Sequence, residues 1–98
     1  YYMTWEYVDE KRIMKIIKHI TGKMGEDDGE LLPTVRVKGK GPMWCYSPTK
    51  KSLVRVERGT GAYVVDYTQD ERGRILIYMK SSQIIAIEIE EIEEVGFN

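Results

Sequence analysis

Between Ser52 and Ile92 the chain carries four closely spaced runs, SLVRVER, GAYVVDYT, GRILIYMK and IIAIEIEEI. Each is rich in β-branched and aromatic residues, and each is bounded by Gly, Ser, Asp or Gln at a turn. The connections are too short for the long crossover that a parallel pair requires, so the runs read as consecutive antiparallel strands.

Alternation within the runs assigns faces. Leu53-Val54-Arg55-Val56-Glu57-Arg58 alternates, and Arg58-Gly59-Thr60-Gly61 supplies a flexible turn. Gln69-Asp70-Glu71-Arg72-Gly73 makes the next turn, with Gly73 at positive φ. Arg74–Lys80 is apolar on both faces and should be the most central strand. In the last run Ile85, Ile87 and Ile89 share one face, but Ile92 follows with the opposite parity. A bulge or a short helical turn at Glu90-Glu91 would absorb that slip.

Upstream, Thr34-Val35-Arg36-Val37-Lys38 alternates as a strand with one wet, cationic face, and Gly39-Lys40-Gly41-Pro42 breaks it. Met43–Lys51 is either a short strand or an ordered loop, and an extended form puts Trp44 and Tyr46 on the same side.

Before the strands, residues 9–24 place Ile13, Ile16, Ile17, Ile20 and Met24 at the spacing of one buried helical face. Asp9, or Thr4 if the helix starts earlier, is a reasonable N-cap, and Gly22 and Gly25 read as stop signals. The opposite face collects Lys11, Arg12, Lys15, Lys18, His19 and Lys23, either a solvated face or one turned toward an anion. The acidic loop Gly25–Glu30 lacks the ligand spacing of an EF-hand and reads as a solvated connector.

The expected fold is therefore α+β: residues 1–98 as a single domain, an N-terminal amphipathic helix (9–24), then a five- to six-stranded antiparallel β-meander (33–95). Met3 reads as a natural start, so Tyr1 and Tyr2 are set aside. The meander either bends strongly as an open sheet or curls into a small barrel. The stretch Tyr78-Met79-Lys80-Ser81-Ser82-Gln83-Ile84-Ile85-Ala86-Ile87-Glu88, two strands about a three-residue turn, resembles the ending of Sm-like and Src-homology-type small barrels. That resemblance implies a barrel and carries no functional residues with it.

Composition narrows the class. Hydrophobic residues at 42% and charged residues at 32% fit a globular chain, and no apolar run approaches the roughly 20 residues of a membrane span. One cysteine and one histidine rule out an internal disulfide and the usual closed zinc sites. With no secretion signal in view, a cytoplasmic protein is expected. Scarce Gln and Asn beside abundant Lys, Glu and Ile point to a thermophilic, archaeal or viral source.

The net charge of −1 conceals a segregation. Residues 1–32 carry five Lys/Arg and seven Asp/Glu, residues 33–60 seven and one, and residues 61–98 three and eight. The basic middle holds Arg36, Lys38, Lys40, Lys50, Lys51, Arg55 and Arg58 around Trp44 and Tyr46. Phosphates attract such charges and bases stack on exposed rings, so this stretch is the candidate site for nucleic acid or a phosphate-bearing ligand.

No catalytic constellation accompanies it. His19 has no nearby carboxylate, Cys45 reads as a small core residue, and Asp70 and Glu71 sit in a turn where acids are common for backbone reasons. Lys38-Gly39-Lys40-Gly41 lacks the spacing of a phosphate-binding loop. The expected function is non-catalytic binding without metal or cofactor. The alternative is a protein-interaction or homo-oligomeric module in which the basic surface meets an acidic partner, or Glu88, Glu90, Glu91, Glu93 and Glu94 of another copy.

Overall fold

The computed structural model describes residues 3–26, 33–79 and 83–95. The acidic loop after Glu26 and the turn at Ser81-Ser82 lie outside the described residues. A 3-10 turn, Trp5–Tyr7, leads into helix α1, Glu10–Glu26. Seven strands follow: β1 Val35–Val37, β2 Pro42–Ser47, β3 Ser52–Glu57, β4 Gly61–Asp66, β5 Arg74–Met79, β6 Gln83–Glu88 and β7 Ile92–Glu94. The protein is thus α+β, with one helix and one antiparallel sheet among the described residues.

Helix α1 starts where its cap is. Asp9 Oδ1 accepts the Lys11 N–H at 2.8 Å, and the Asp9 carbonyl accepts from Arg12 and Ile13. Ile13, Ile16 and Ile20 are buried as the periodicity requires. Ile17 is not: it is 43% exposed, because it lies at the rim of the stripe rather than on its centre line. Gly22 does not stop the helix, which runs on to Glu26. Glycine ends a helix when it takes a left-handed conformation, and Gly22 does not.

The strand order is β3-β2-β6-β5-β4-β1-β7, which is not a simple meander. Hairpins β2–β3, β4–β5 and β5–β6 follow the chain, but β1 inserts between β4 and β7, and β2 returns to pair with β6 at Tyr46 and Ala86. The position of β1 satisfies its backbone on both sides. The Thr34 N–H reaches the Ala62 carbonyl at 2.9 Å, and the Val95 N–H reaches the Thr34 carbonyl at 3.1 Å. The strand count exceeds six because Pro42–Ser47 is a full strand and the C-terminal run is split by a 3-10 turn, Ile89–Glu91. That turn falls at the parity slip, where Ile89 is exposed and Ile92 buried.

Each face of the sheet has its own core. On one, Trp5, Ile13 and Ile16 pack against Leu76, Ile84 and Ala86, with Val8, Val65 and Tyr78 around them. On the other, residues from all seven strands meet, including Val37, Val54, Val56, Ile75, Ile77, Ile85 and Ile92. Only strand residues make up that second core, yet Val37, Ile75, Ile77 and Ile85 are 0% exposed. A flat sheet could not bury them without a second layer, so the sheet bends over itself.

Hydrogen bonds fasten the bend. The Gly59 N–H reaches the Val37 carbonyl at 2.7 Å, and the Arg58 N–H reaches that of Gly41 at 2.9 Å, pinning the β3–β4 turn to the end of β1. The ladder does not close, however. Among the described residues β3 pairs only with β2 and β7 only with β1, so the sheet is not closed. Strand β5 is central and buried along nearly its whole length, as its two-sided apolar pattern requires.

Candidate binding surface

The pairing of β2 with β3 sets two columns of side chains. Trp44 stands opposite Arg55, Tyr46 opposite Leu53 and Pro42 opposite Glu57, while Cys45 and Val54 face the core. Alternation therefore puts Trp44 and Tyr46 on one face, as expected. Trp44 is 64% exposed and Leu53 63%, whereas Tyr46 is half-buried beside α1. Arg55 leans along its own strand to Glu57, Nη2 to Oε1 2.8 Å.

The cations gather at the two ends of this hairpin. At one end, Lys38 and Lys40 sit in the β1–β2 connection and Arg58 in the β3–β4 turn, all exposed. Gly39 and Gly41, at φ +90° and +88°, give that connection its left-handed bends. A Cβ on Gly39 would lie 3.2 Å from Arg58 Cδ, so the arginine stem crosses directly over the glycine. At the other end, Lys50 is exposed and Lys51, at φ +53°, reaches Glu10 of α1 with Nζ to Oε1 2.6 Å. That hydrogen bond raises the Lys51 pKa and lowers that of Glu10. Five strand steps at ~3.3 Å each separate the ends by about 17 Å.

Arg36 does not join them. It lies on β1, four places from β2 in the strand order, where its Nε and Nη2 donate to Glu93 Oε1 at 3.0 and 2.8 Å. The nine sequence-predicted residues therefore fall into a face (Trp44, Tyr46, Arg55), two ends (Lys38, Lys40, Arg58 and Lys50, Lys51) and one residue apart. Lys38, Lys40, Lys50 and Arg58 enter no ion pair among the described residues.

No protein-family model, curated protein or solved structure matches the chain.

Among the described residues, clefts lie on either side of the start of α1. One, of about 140 Å³, lies between the helix and the β2–β3 turn and is lined by Glu10, Met14, Tyr46 and Thr49 among others. The second, about 330 Å³, is bordered by Met3, Tyr7, Arg12 and Glu71. The first is well below, and the second at the bottom of, the 300–1,000 Å³ usual for small-molecule sites. The nucleophile candidates are placed unfavourably. His19 is exposed on α1, and burial, followed by the nearby Glu91 carboxylate, pushes the Cys45 thiol up to about 11. No three His, Cys, Asp or Glu side chains group to hold a metal among the described residues.

Sequence reasoning missed two features here. Arg12, read as part of a basic face either solvated or turned toward an anion, lies over the Trp5 ring at 4.9 Å and bonds Asp66 Oδ2 at 3.0 Å. Asp66 reaches it because a bulge between Val64 and Asp66 turns the carboxylate to the helix side, opposite Leu76. Second, Met14 is exposed on the helix flank and lines the cleft it shares with Tyr46, adding aliphatic surface there. The exposure of Leu53 was legible, since it shares parity with Arg55 and Glu57.

Proposed function

We propose that this chain is a non-catalytic binding protein that holds a single-stranded nucleic acid along the outer face of the β2–β3 hairpin. One observation carries the reading. Trp44 is an exposed indole on a strand face, standing between Lys38, Lys40 and Arg58 at one end and Lys50 at the other, and none of these four cations is engaged by a carboxylate among the described residues.

The parts act differently. The four unengaged cations neutralise backbone phosphates and release condensed counterions, which supplies affinity without sequence preference. The indole offers a π-face on which a base stacks, worth about 1–3 kcal/mol. Arg55 joins in by exchanging Glu57 for a phosphate. An exposed pair of this kind contributes only about 0–1 kcal/mol, so its loss opposes binding little. Arg36 takes no part, because it lies elsewhere on the sheet and is held by Glu93.

Fluorescence anisotropy with a labelled single-stranded oligonucleotide at several salt concentrations tests this. Four cations at about 0.7 ions each give a slope of log K against log salt near −3. Trp44→Ala weakens binding about 5- to 150-fold, the equivalent of one lost stack. Absence of binding at low salt, or binding indifferent to both salt and Trp44→Ala, overturns the proposal.

A further inference from the structure

Among the described residues the sheet has two edges with no strand partner, and they carry opposite charge. β3 pairs only with β2, and the stretch Lys50–Arg58 that contains it holds four cations and one carboxylate. β7 pairs only with β1, and Glu88–Val95 holds five carboxylates and no cation. Much of this charge is unspent. Lys50 and Arg58 on one side, and Glu88, Glu90, Glu91 and Glu94 on the other, enter no ion pair among the described residues.

Each edge also carries one exposed aliphatic side chain amid the charge. Leu53 stands out from β3, and Ile89, 43% exposed, from the 3-10 turn before β7. Neither proline nor bulge interrupts β3: Ser52–Glu57 contains no proline, and its register with β2 is unbroken over six residues. Unpaired N–H and C=O groups along such an edge are a template for another strand. β7 supplies three residues of strand, the length that β1 already pairs with on its other side.

We infer that the occupant of the β3 edge is a second copy of this chain, presenting its β7 edge. The contact is head-to-tail: the basic edge of one copy meets the acidic edge of the next. Two like edges cannot pair in this way, because carboxylates would face carboxylates and cations face cations. Such a heterologous contact leaves one edge free on each terminal copy. It therefore propagates until the rotation between copies closes a ring, or continues as an open fibre. The inference is independent of nucleic acid binding and is tested without it.

Charge exchange decides it. One variant carries Lys50→Glu and Arg55→Glu, so that both of its edges are acidic; the other carries Glu90→Lys and Glu94→Lys, which lightens and partly reverses the β7 edge. Circular dichroism spectra matching the parent establish that both fold. Light scattering should give the parent a mass several times 11.4 kDa that falls as salt is raised. Each variant alone should scatter as a smaller species than the parent. Mixing them at equal concentration should restore a larger mass, since the unaltered acidic β7 edge of the first then meets the unaltered basic β3 edge of the second. A monomeric parent at high protein concentration and low salt overturns the inference. So does a mixture of two folded variants that stays as small as either one alone.

Discussion

Arg74 and Asp70 form a buried ion pair four residues apart, with Nε and Nη2 donating to Asp70 Oδ2 at 3.0 and 2.8 Å and the aspartate side chain fully enclosed. The remaining acceptor capacity of Asp70 is also used. Its Oδ1 takes the N–H groups of Arg72 and Arg74, and its Oδ2 that of Trp5. Glu6 closes the cluster from the N-terminal segment, donated to by the same guanidinium, and the Trp5 indole N–H donates to the Arg74 carbonyl at 2.9 Å. The cluster ties the chain before α1 to the start of the central strand.

Removing Asp70 leaves the buried guanidinium with Glu6 alone and strands the N–H groups of Trp5, Arg72 and Arg74. Asp70→Ala should therefore cost about 3–5 kcal/mol, read as a lower midpoint in urea unfolding. A loss below 1 kcal/mol would mean that Arg74 finds water or another carboxylate, and that the cluster does not anchor the N-terminal segment.

The same pair gives stability a pH dependence of known sign. Burial alone would raise the Asp70 pKa, but the N–H groups of Arg74 and Trp5 and the Arg74 charge outweigh it and hold the carboxyl below its usual range. Asp66 is held low in the same manner by Thr68 and Arg12 against its own burial. A carboxyl with a depressed folded pKa binds more protons when unfolded, so its contribution is complete above about pH 4 and is lost as the pH falls. Urea midpoints measured from pH 6 to pH 2 should drop for the parent. They should drop less for Asp70→Asn, whose deficit narrows in acid.

Two glycines predict opposite outcomes for the same substitution. Gly22 lies inside α1 with nothing within 4 Å of an added Cβ, so Gly22→Ala should stabilise by about 0.5–1 kcal/mol through lost unfolded-state freedom. At Gly61 a Cβ would fall 2.8 Å from Cβ and 3.0 Å from Cγ of Pro33, a ring with no rotamer to yield. Gly61→Ala should cost about 1–3 kcal/mol as β1 is pushed from β4. Thermal unfolding of the two variants should show midpoints on either side of the parent.

Cys45 should be silent until the protein opens. Its thiol is buried in the all-strand core and pushed up to about 11, so the reactive thiolate is scarce at pH 8. Labelling by a disulfide reagent should be slow in buffer and fast in denaturant. Rapid labelling of the native protein would place Cys45 at a surface.

Much of the local architecture was legible, for reasons of period. The two-residue alternation of β2 and β3 assigned Trp44 and Tyr46 to one face, and the two-sided apolar character of Arg74–Met79 marked the central strand. The parity slip at Glu90-Glu91 marked a bulge or a short helical turn, of which the structure has the latter, and the spacing of Ile13, Ile16 and Ile20 announced the helix. Each of these rests on neighbours a few residues apart, whose relative directions the backbone sets by itself.

What the periods could not contain is who pairs with whom at long range. That β1 lies between β4 and β7, that the ladder stays open, and that Arg36 meets Glu93 and Arg12 meets Asp66 follow from strand order, a bulge and the bend of the sheet. The basic middle, one block in the chain, is divided in space because its strands run to different places. Composition and alternation alone determined the helix, most of the strands and the faces of their residues. Only tertiary structure decided the neighbours, because backbone groups are satisfied across the whole sheet at once and carry no local record of their partner.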